Sequence, residues 1–245
     1  MDSALAHELK SYDTTHPNRG IALVINITKN RAGSEKDLEA VVAVLRALKF
    51  DVRTFIDKTT HEIRAALGKV AREDHTYNDC LLMVVMAHGT KDTIKLTNRD
   101  LCINELWVDF VGNECPSLIG KPKLVFIQSC RGDKHDYGAT TIKADSMPVP
   151  VDPVRVVIPM YADLLVMYSS YERYVSYRCE KEGTWFIQSL CQVLRANIAK
   201  VELLAMLTHV SYLVANRSAQ METGFAKQIP TIHSMLTKAF YFAPK

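Results

Sequence analysis

Four stretches of the chain, residues 21–27, 81–87, 124–128 and 162–169, are apolar for strand length with almost no polar alternation. Runs of this kind suit strands buried on both faces. Between them the period lengthens. Leu38, Val41, Val42, Leu45 and Leu48 recur at helical spacing, and Ser34 with Asp37 offers a capping box at the start of that helix. A second helix is predicted from Thr59, with Glu62 three residues on and Ile63, Leu67 and Val70 facing inward. Residues 104–111 predict a third, shorter helix. Strand and helix in repetition argue for an α/β fold on a mostly parallel sheet, covered on both faces.

The pattern breaks after Cys130. Residues 132–159 are polar, contain Pro148, Pro150, Pro153 and Pro159, and show no sustained period, which predicts a linker. Beyond the strand at 162–169, helices are predicted from 184 to about 196 and from 201 to about 216, the latter with Leu203, Leu204, Leu207, Val210 and Val214 apolar. The tail, 229–242, reads as a final strand and its extension.

Composition narrows the class. With 48% hydrophobic residues in 245, one sizeable core can form without disulfides or metals. The net charge of +3 is spread along the chain, not gathered into a basic stripe, so nucleic acid is not an indicated partner. The longest purely apolar run, 81–87, falls far short of the roughly 18 residues that span a bilayer, and the N-terminus lacks a basic-then-apolar signal pattern. A soluble, cytoplasmic protein is expected. The six cysteines have no C-x-x-C pair and no histidine at metal-ligand spacing, which predicts reduced thiols and no metal or other cofactor.

In open parallel sheets, ligands bind beyond the carboxyl ends of the strands. Arg31 follows the first apolar run, His88 and Gly89 the second, Cys130 closes the third, and Arg178 lies shortly after the fourth. A cysteine beside a histidine supplies nucleophilic catalysis, because the imidazole takes the thiol proton and leaves a thiolate. Taken alone, Cys130 reads sooner as a small buried hydrophobe and His88 as a hydrogen-bonded turn residue.

Gln128-Ser129-Cys130-Arg131-Gly132 resembles the caspase signature Q-A-C-x-G, and His88 lies 42 residues upstream, against about 50 in the family pattern. His88-Gly89, Gly120-Lys121-Pro122-Lys123, Gly183-Thr184-Trp185-Phe186-Ile187-Gln188 and Gln228-Ile229-Pro230 also resemble caspase landmarks, in order along the chain. Arg31-Ala32-Gly33-Ser34-Glu35-Lys36-Asp37 is similar to the family's R-x-G-[ST]-x-x-D element, and Ser176-Tyr177-Arg178 to its S-x-R element.

The resemblance implies a three-layer α/β/α sandwich around a mostly parallel six-stranded sheet. It implies a cysteine endopeptidase cutting after aspartate in protein and peptide substrates, acting in apoptosis. Cys130 is then the nucleophile and His88 the base, and the backbone N–H groups of Gly89 and Cys130 form the oxyanion hole. Arg31, Gln128, Ser176, Tyr177 and Arg178 form the substrate site. Paired guanidinium groups can fork onto one carboxylate, each bond contributing about 1.5–3 kcal/mol.

The resemblance further implies a zymogen cut in its linker, with Asp145-Ser146 the favoured site over Asp133, Asp136 and Asp152. The expected division is a short N-terminal peptide at 1–19, a large-subunit region at 20–145, the rest of the linker at 146–159 and a small-subunit region at 160–245. The short leading segment leaves no room for a recruitment domain and resembles the executioners. Pairing through residues 232–236, as a homodimer or with another caspase, and control by an upstream caspase and inhibitor proteins follow from the same resemblance.

Some positions depart from the family. Asp92 stands where a glycine is common, another glycine is missing from 93–99, Val175 and Tyr177 replace larger aromatics, and 216–227 is short. A carboxylate near His88 is expected to favour imidazolium, and the altered subsite puts preference for an upstream aspartate in doubt. These departures sustain an alternative, a weakly active relative that dimerises with and modulates an active caspase. An unrelated α/β ligand-binding domain is a third reading, which makes the matched motifs coincidence.

Overall fold

A computed structural model describes residues 9–135, 159–198, 200–221 and 224–245. Its centre is a six-stranded sheet of β1 (Ile21–Asn26), β2 (Asp51–Ile56), β3 (Leu81–Met86), β7 (Lys123–Gln128), β8 (Leu164–Tyr168) and β13 (Thr231–Ser234), in the order β13-β8-β7-β3-β1-β2. Neighbours pair in parallel, except that β13 runs antiparallel to β8.

Every residue of β1, β3, β7 and β8 is buried, and their period of two divides them between two cores. Val24, Leu82, Val84, Phe126 and Met167 face one side, under helices α1 (Ser34–Ala47), α3 (Trp185–Asn197) and α4 (Leu203–Asn216). Leu23, Ile25, Met83, Val85 and Ile127 face the other, under α2 (Thr60–Ala71) and a string of 3-10 turns that includes Leu106 and Phe110. Each such side chain contributes about 1.5–3 kcal/mol of burial. The result is the expected α/β sandwich.

Two local expectations are corrected. Helix α1 is entered through Gly33 at φ 81 with no side-chain cap, so Ser34 and Asp37 form no capping box. Asp37 turns inward instead and accepts from the Thr184 N–H and from Gln188 Nε2, each at 2.9 Å, tying α1 to the start of α3. Residues 104–111 form two 3-10 turns, Ile103–Leu106 and Val108–Phe110, in place of a helix. The final strand and extension predicted at 229–242 are the short β13 and the chain after it, which buries Phe240 and Phe242 against the first core. The Thr59–Glu62 capping box on α2 forms as predicted.

The sequence reading also missed elements. Strand β2 packs at the open edge of the sheet beside β1. A small antiparallel sheet joins β4 (His88–Gly89), β5 (Thr93–Lys95) and β6 (Asp100–Cys102), and short pairs form between β9 (Arg178–Cys179) and β10 (Gly183–Thr184) and between β11 (Ala219–Met221) and β12 (Gly224–Ala226). No described helix is long and apolar enough to cross a membrane.

Candidate active site

The parallel register aligns Asn26, Met86 and Gln128 across β1, β3 and β7, so the residues that follow leave the sheet side by side. Arg31, His88, Cys130 and Arg178 are thereby gathered at one edge. Their charges register on one another: Arg178 and Cys130 act on Arg31, and both arginines act on His88.

The imidazole of His88 is anchored by a bond of 3.1 Å between Nε2 and the carbonyl oxygen of Asn30. Asn30 sits in the left-handed region at φ 56, which an asparagine tolerates better than most residues and which turns that carbonyl toward the ring. A carbonyl only accepts, so Nε2 carries the proton and Nδ1 of the neutral ring is left as the basic nitrogen. Burial pushes the His88 pKa below its ordinary value, with Arg31, Arg178 and Lys95 pushing the same way and the Asn30 bond opposing. The expectation that Asp92 would favour imidazolium is thus reversed, because burial first and then the neighbouring cations disfavour the charged ring. Asp92 acts on the Tyr168 phenol instead.

Cys130 is half-buried at the end of β7. Its Sγ lies 3.5 Å from the Ser176 N–H and 4.0 Å from the Ser176 carbonyl oxygen. No hydrogen bond joins it to His88 among the described residues. Such bonds are often long in unliganded sites and tighten around substrate. Gly89 packs directly over the residue before the thiol: a Cβ there would lie 2.6 Å from the Thr93 carbonyl oxygen and 3.1 Å from Ser129 Cβ. Only glycine lets the two backbones approach this closely.

Arg31 is 3% exposed. Its Nη1 donates to Asn26 Oδ1 at 3.0 Å, to the Ile27 carbonyl at 3.0 Å and to the Met86 carbonyl at 2.9 Å, leaving Nε and Nη2 without an acceptor among the described residues. Desolvation, helped by the Arg178 charge, pushes its pKa down to about 10. The Arg178 guanidinium has no hydrogen bond or ion pair to any described residue. Two neighbouring cations with so few partners form a site for an anion. Gln128 completes it, with Nε2 donating to Ser176 Oγ at 2.9 Å and Oε1 buried without a partner.

The loop after Cys130 is zipped to the loop after β8. Arg131 N–H donates to the Tyr174 carbonyl at 3.1 Å, Lys134 N–H to the Arg173 carbonyl at 3.0 Å, and Val175 N–H to the Lys134 carbonyl at 2.9 Å. Tyr177 stacks on Trp185 with centroids 5.0 Å apart. Two positioning residues went unassigned in the sequence reading. Ser169 Oγ donates to the Ser129 carbonyl at 3.0 Å, and Gln228 spans the site, donating to the Ser169 carbonyl at 2.7 Å and accepting from the Tyr177 N–H at 2.7 Å. The polar Ser169-Ser170 that ends an apolar run was the available signal for the first. Asp145 and Ser146 lie outside the described residues.

Comparison with known proteins identifies the family. A family model described as the caspase domain, a peptidase family, matches residues 19–241. The chain is 35% identical to caspase drICE of Drosophila melanogaster over 96% of its length and 73% of that protein's. It is 37% identical to caspase-3 of Felis catus, covering 99% of this chain and 90% of that one. The crystal structure of caspase-1 from Spodoptera frugiperda superposes with a TM-score of 0.87 at 32% identity, covering 97% of both chains. On its sequence and on its fold, this chain belongs to the caspase family of peptidases.

Proposed function

We propose that the protein is a cysteine endopeptidase that cuts after aspartate, made as a zymogen and acting in apoptosis. The observation that carries the aspartate reading is the pair of under-partnered guanidinium groups, Arg31 and Arg178, beside Cys130 and His88 at one sheet edge. An aspartate carboxylate accepts from both arginines. Ser176 Oγ serves as donor or acceptor alike, so it holds the Gln128 amide in either orientation, and with the amide turned Nε2 joins the arginines. A neutral side chain leaves the cations unpaired and is rejected.

The Cys130 thiol passes its proton to His88 Nδ1, and the thiolate sulfur attacks the aspartyl carbonyl carbon. The carbonyl electron pair moves to oxygen, stabilised by the Gly89 and Cys130 N–H groups. Collapse breaks the C–N bond, and the His88 imidazolium gives its proton to the leaving amine. Water, deprotonated by His88, then releases the acyl group from sulfur.

Activation by cutting at Asp145-Ser146 divides the chain into the 20–145 and 160–245 regions with their flanking segments, and pairing through β13 makes a dimer. Purified protein should turn over aspartyl tetrapeptide dye reporters, and Cys130→Ala should abolish that turnover. Retained activity in Cys130→Ala refutes the nucleophile. A silent wild-type protein that stimulates an active caspase points to the modulator reading instead.

A further inference from the structure

A cavity of about 450 Å³ opens beside His88, bounded by Lys29, Asn30, Lys95, Leu96 and Thr97. It lies toward the β1 end of the site, whereas Ser176, Arg178 and the zipped loops lie toward β8, on the other side of Cys130. Its two lysines are exposed, and neither has a hydrogen bond or ion pair to a described residue. Lys95 stands opposite His88 in the β4–β5 pair and depresses the ring's pKa. No described carboxylate lies within ion-pair distance of either lysine. Asp57 accepts from Thr28 at 2.7 Å, and Asp100, opposite Lys95 across β5–β6, accepts from Thr93 at 3.4 Å.

His88 must hand a proton to the leaving amine, so a cavity that His88 lines lies where the leaving half of the substrate emerges. An extended peptide advances about 3.3 Å per residue, which carries the second and third residues after the cut past His88 and between the two lysines. We propose that Lys29 and Lys95 form a leaving-side subsite selecting a carboxylate, from aspartate or glutamate, at the second or third residue after the cut. This inference rests on the proteolytic reading above and adds a second acidic determinant to it. Thr97 and the Asn30 side chain supply neutral polar neighbours, so an amide in the same place is accommodated but not favoured.

The test uses peptides with a fluorophore and quencher on either side of one aspartyl bond, matched except for Glu against Gln at the second or third leaving position. The wild-type kcat/KM should favour Glu by about five-fold, the worth of one screened ion pair, and the preference should shrink as salt is added. The Glu/Gln ratio should fall toward one in Lys29→Ala/Lys95→Ala and invert in Lys95→Glu. Because each ratio is taken within one variant, a change in that variant's overall activity does not affect it. A wild-type ratio of one, in protein that turns over tetrapeptide dye reporters with no leaving peptide, overturns this inference and leaves the protease reading intact. Failure on both kinds of substrate overturns both.

Discussion

The ordinary imidazole pKa of about 6.5 places the ring half-charged just below neutrality, but burial and three cations hold the His88 value lower. Its neutral, basic form therefore persists as the solution is acidified. In a pH profile of kcat/KM, the acid limb should fall below about 6.5, and a limb clearly above it refutes the assignment of His88 as base. Asn30 contributes through its backbone carbonyl, so its side chain carried no sequence signal for this contact. The same is true of Ser176, whose backbone holds the thiol. That Cys130, His88, Arg31 and Arg178 leave the sheet at one edge was legible in the sequence because each follows an apolar run, while the chemistry assigned to them came only from the motifs around them. The backbone groups that orient them were not legible, because any residue type supplies an N–H and a carbonyl.

Elements were legible in proportion to their burial. Strands β1, β3, β7 and β8, buried on both faces, stood out as unbroken apolar runs, whereas β2 keeps Asp51, Arg53 and Thr54 within an exposed edge and showed no such run. Asp37 misled for a related reason: its spacing from Ser34 fits a cap, yet tertiary contact with Thr184 and Gln188 claimed it. Replacing Asp37 with Ala leaves that N–H and amide buried without an acceptor, at a cost of about 2 kcal/mol. Urea unfolding should show a lower midpoint at unchanged slope; an unchanged midpoint removes Asp37 as the link between α1 and α3. At the opposite edge, β13 pairs among the described residues only with β8 and carries half-buried Ile232 beside exposed His233 and Ser234. Free strand edges invite pairing. Sedimentation velocity should show a concentration-dependent dimer that Ile232→Lys shifts to monomer while far-UV circular dichroism stays native. A wild-type monomer at tens of micromolar refutes pairing through this edge.

At the scale of the whole molecule, one continuous sheet runs through both of the regions expected to become separate fragments. β8 from the second pairs with β7 from the first over five residues, and the first core takes side chains from α1 and from α3 and α4. Arg19, ahead of β1, and the last residue share one partner: Lys245 Nζ lies 2.9 Å from the fully buried carboxylate of Asp79, which Arg19 holds at 2.9 Å. The proposed cut at Asp145 would therefore leave both cores intact. Mass spectrometry of self-processed protein should find fragments ending at Asp145 and beginning at Ser146. They should co-elute in native gel filtration and part only in denaturant, while Asp145→Ala stays a single chain. Fragments that separate under native conditions contradict the shared core.

The anchoring of Arg31 bears on how such a protein can diverge. One guanidinium nitrogen binds the ends of both β1 and β3, so the group assigned to reading the substrate's carboxylate is also a rivet of the central sheet. A mutation there sacrifices folding along with recognition, and selection for a stable chain alone is enough to retain it. The side chains of Asp92, Lys95 and Val175 make no hydrogen bond to a described residue and carry no such double duty. Descendants of this chain are free to drift in catalytic speed, down to silence, long before they lose the capacity to grip an acidic side chain.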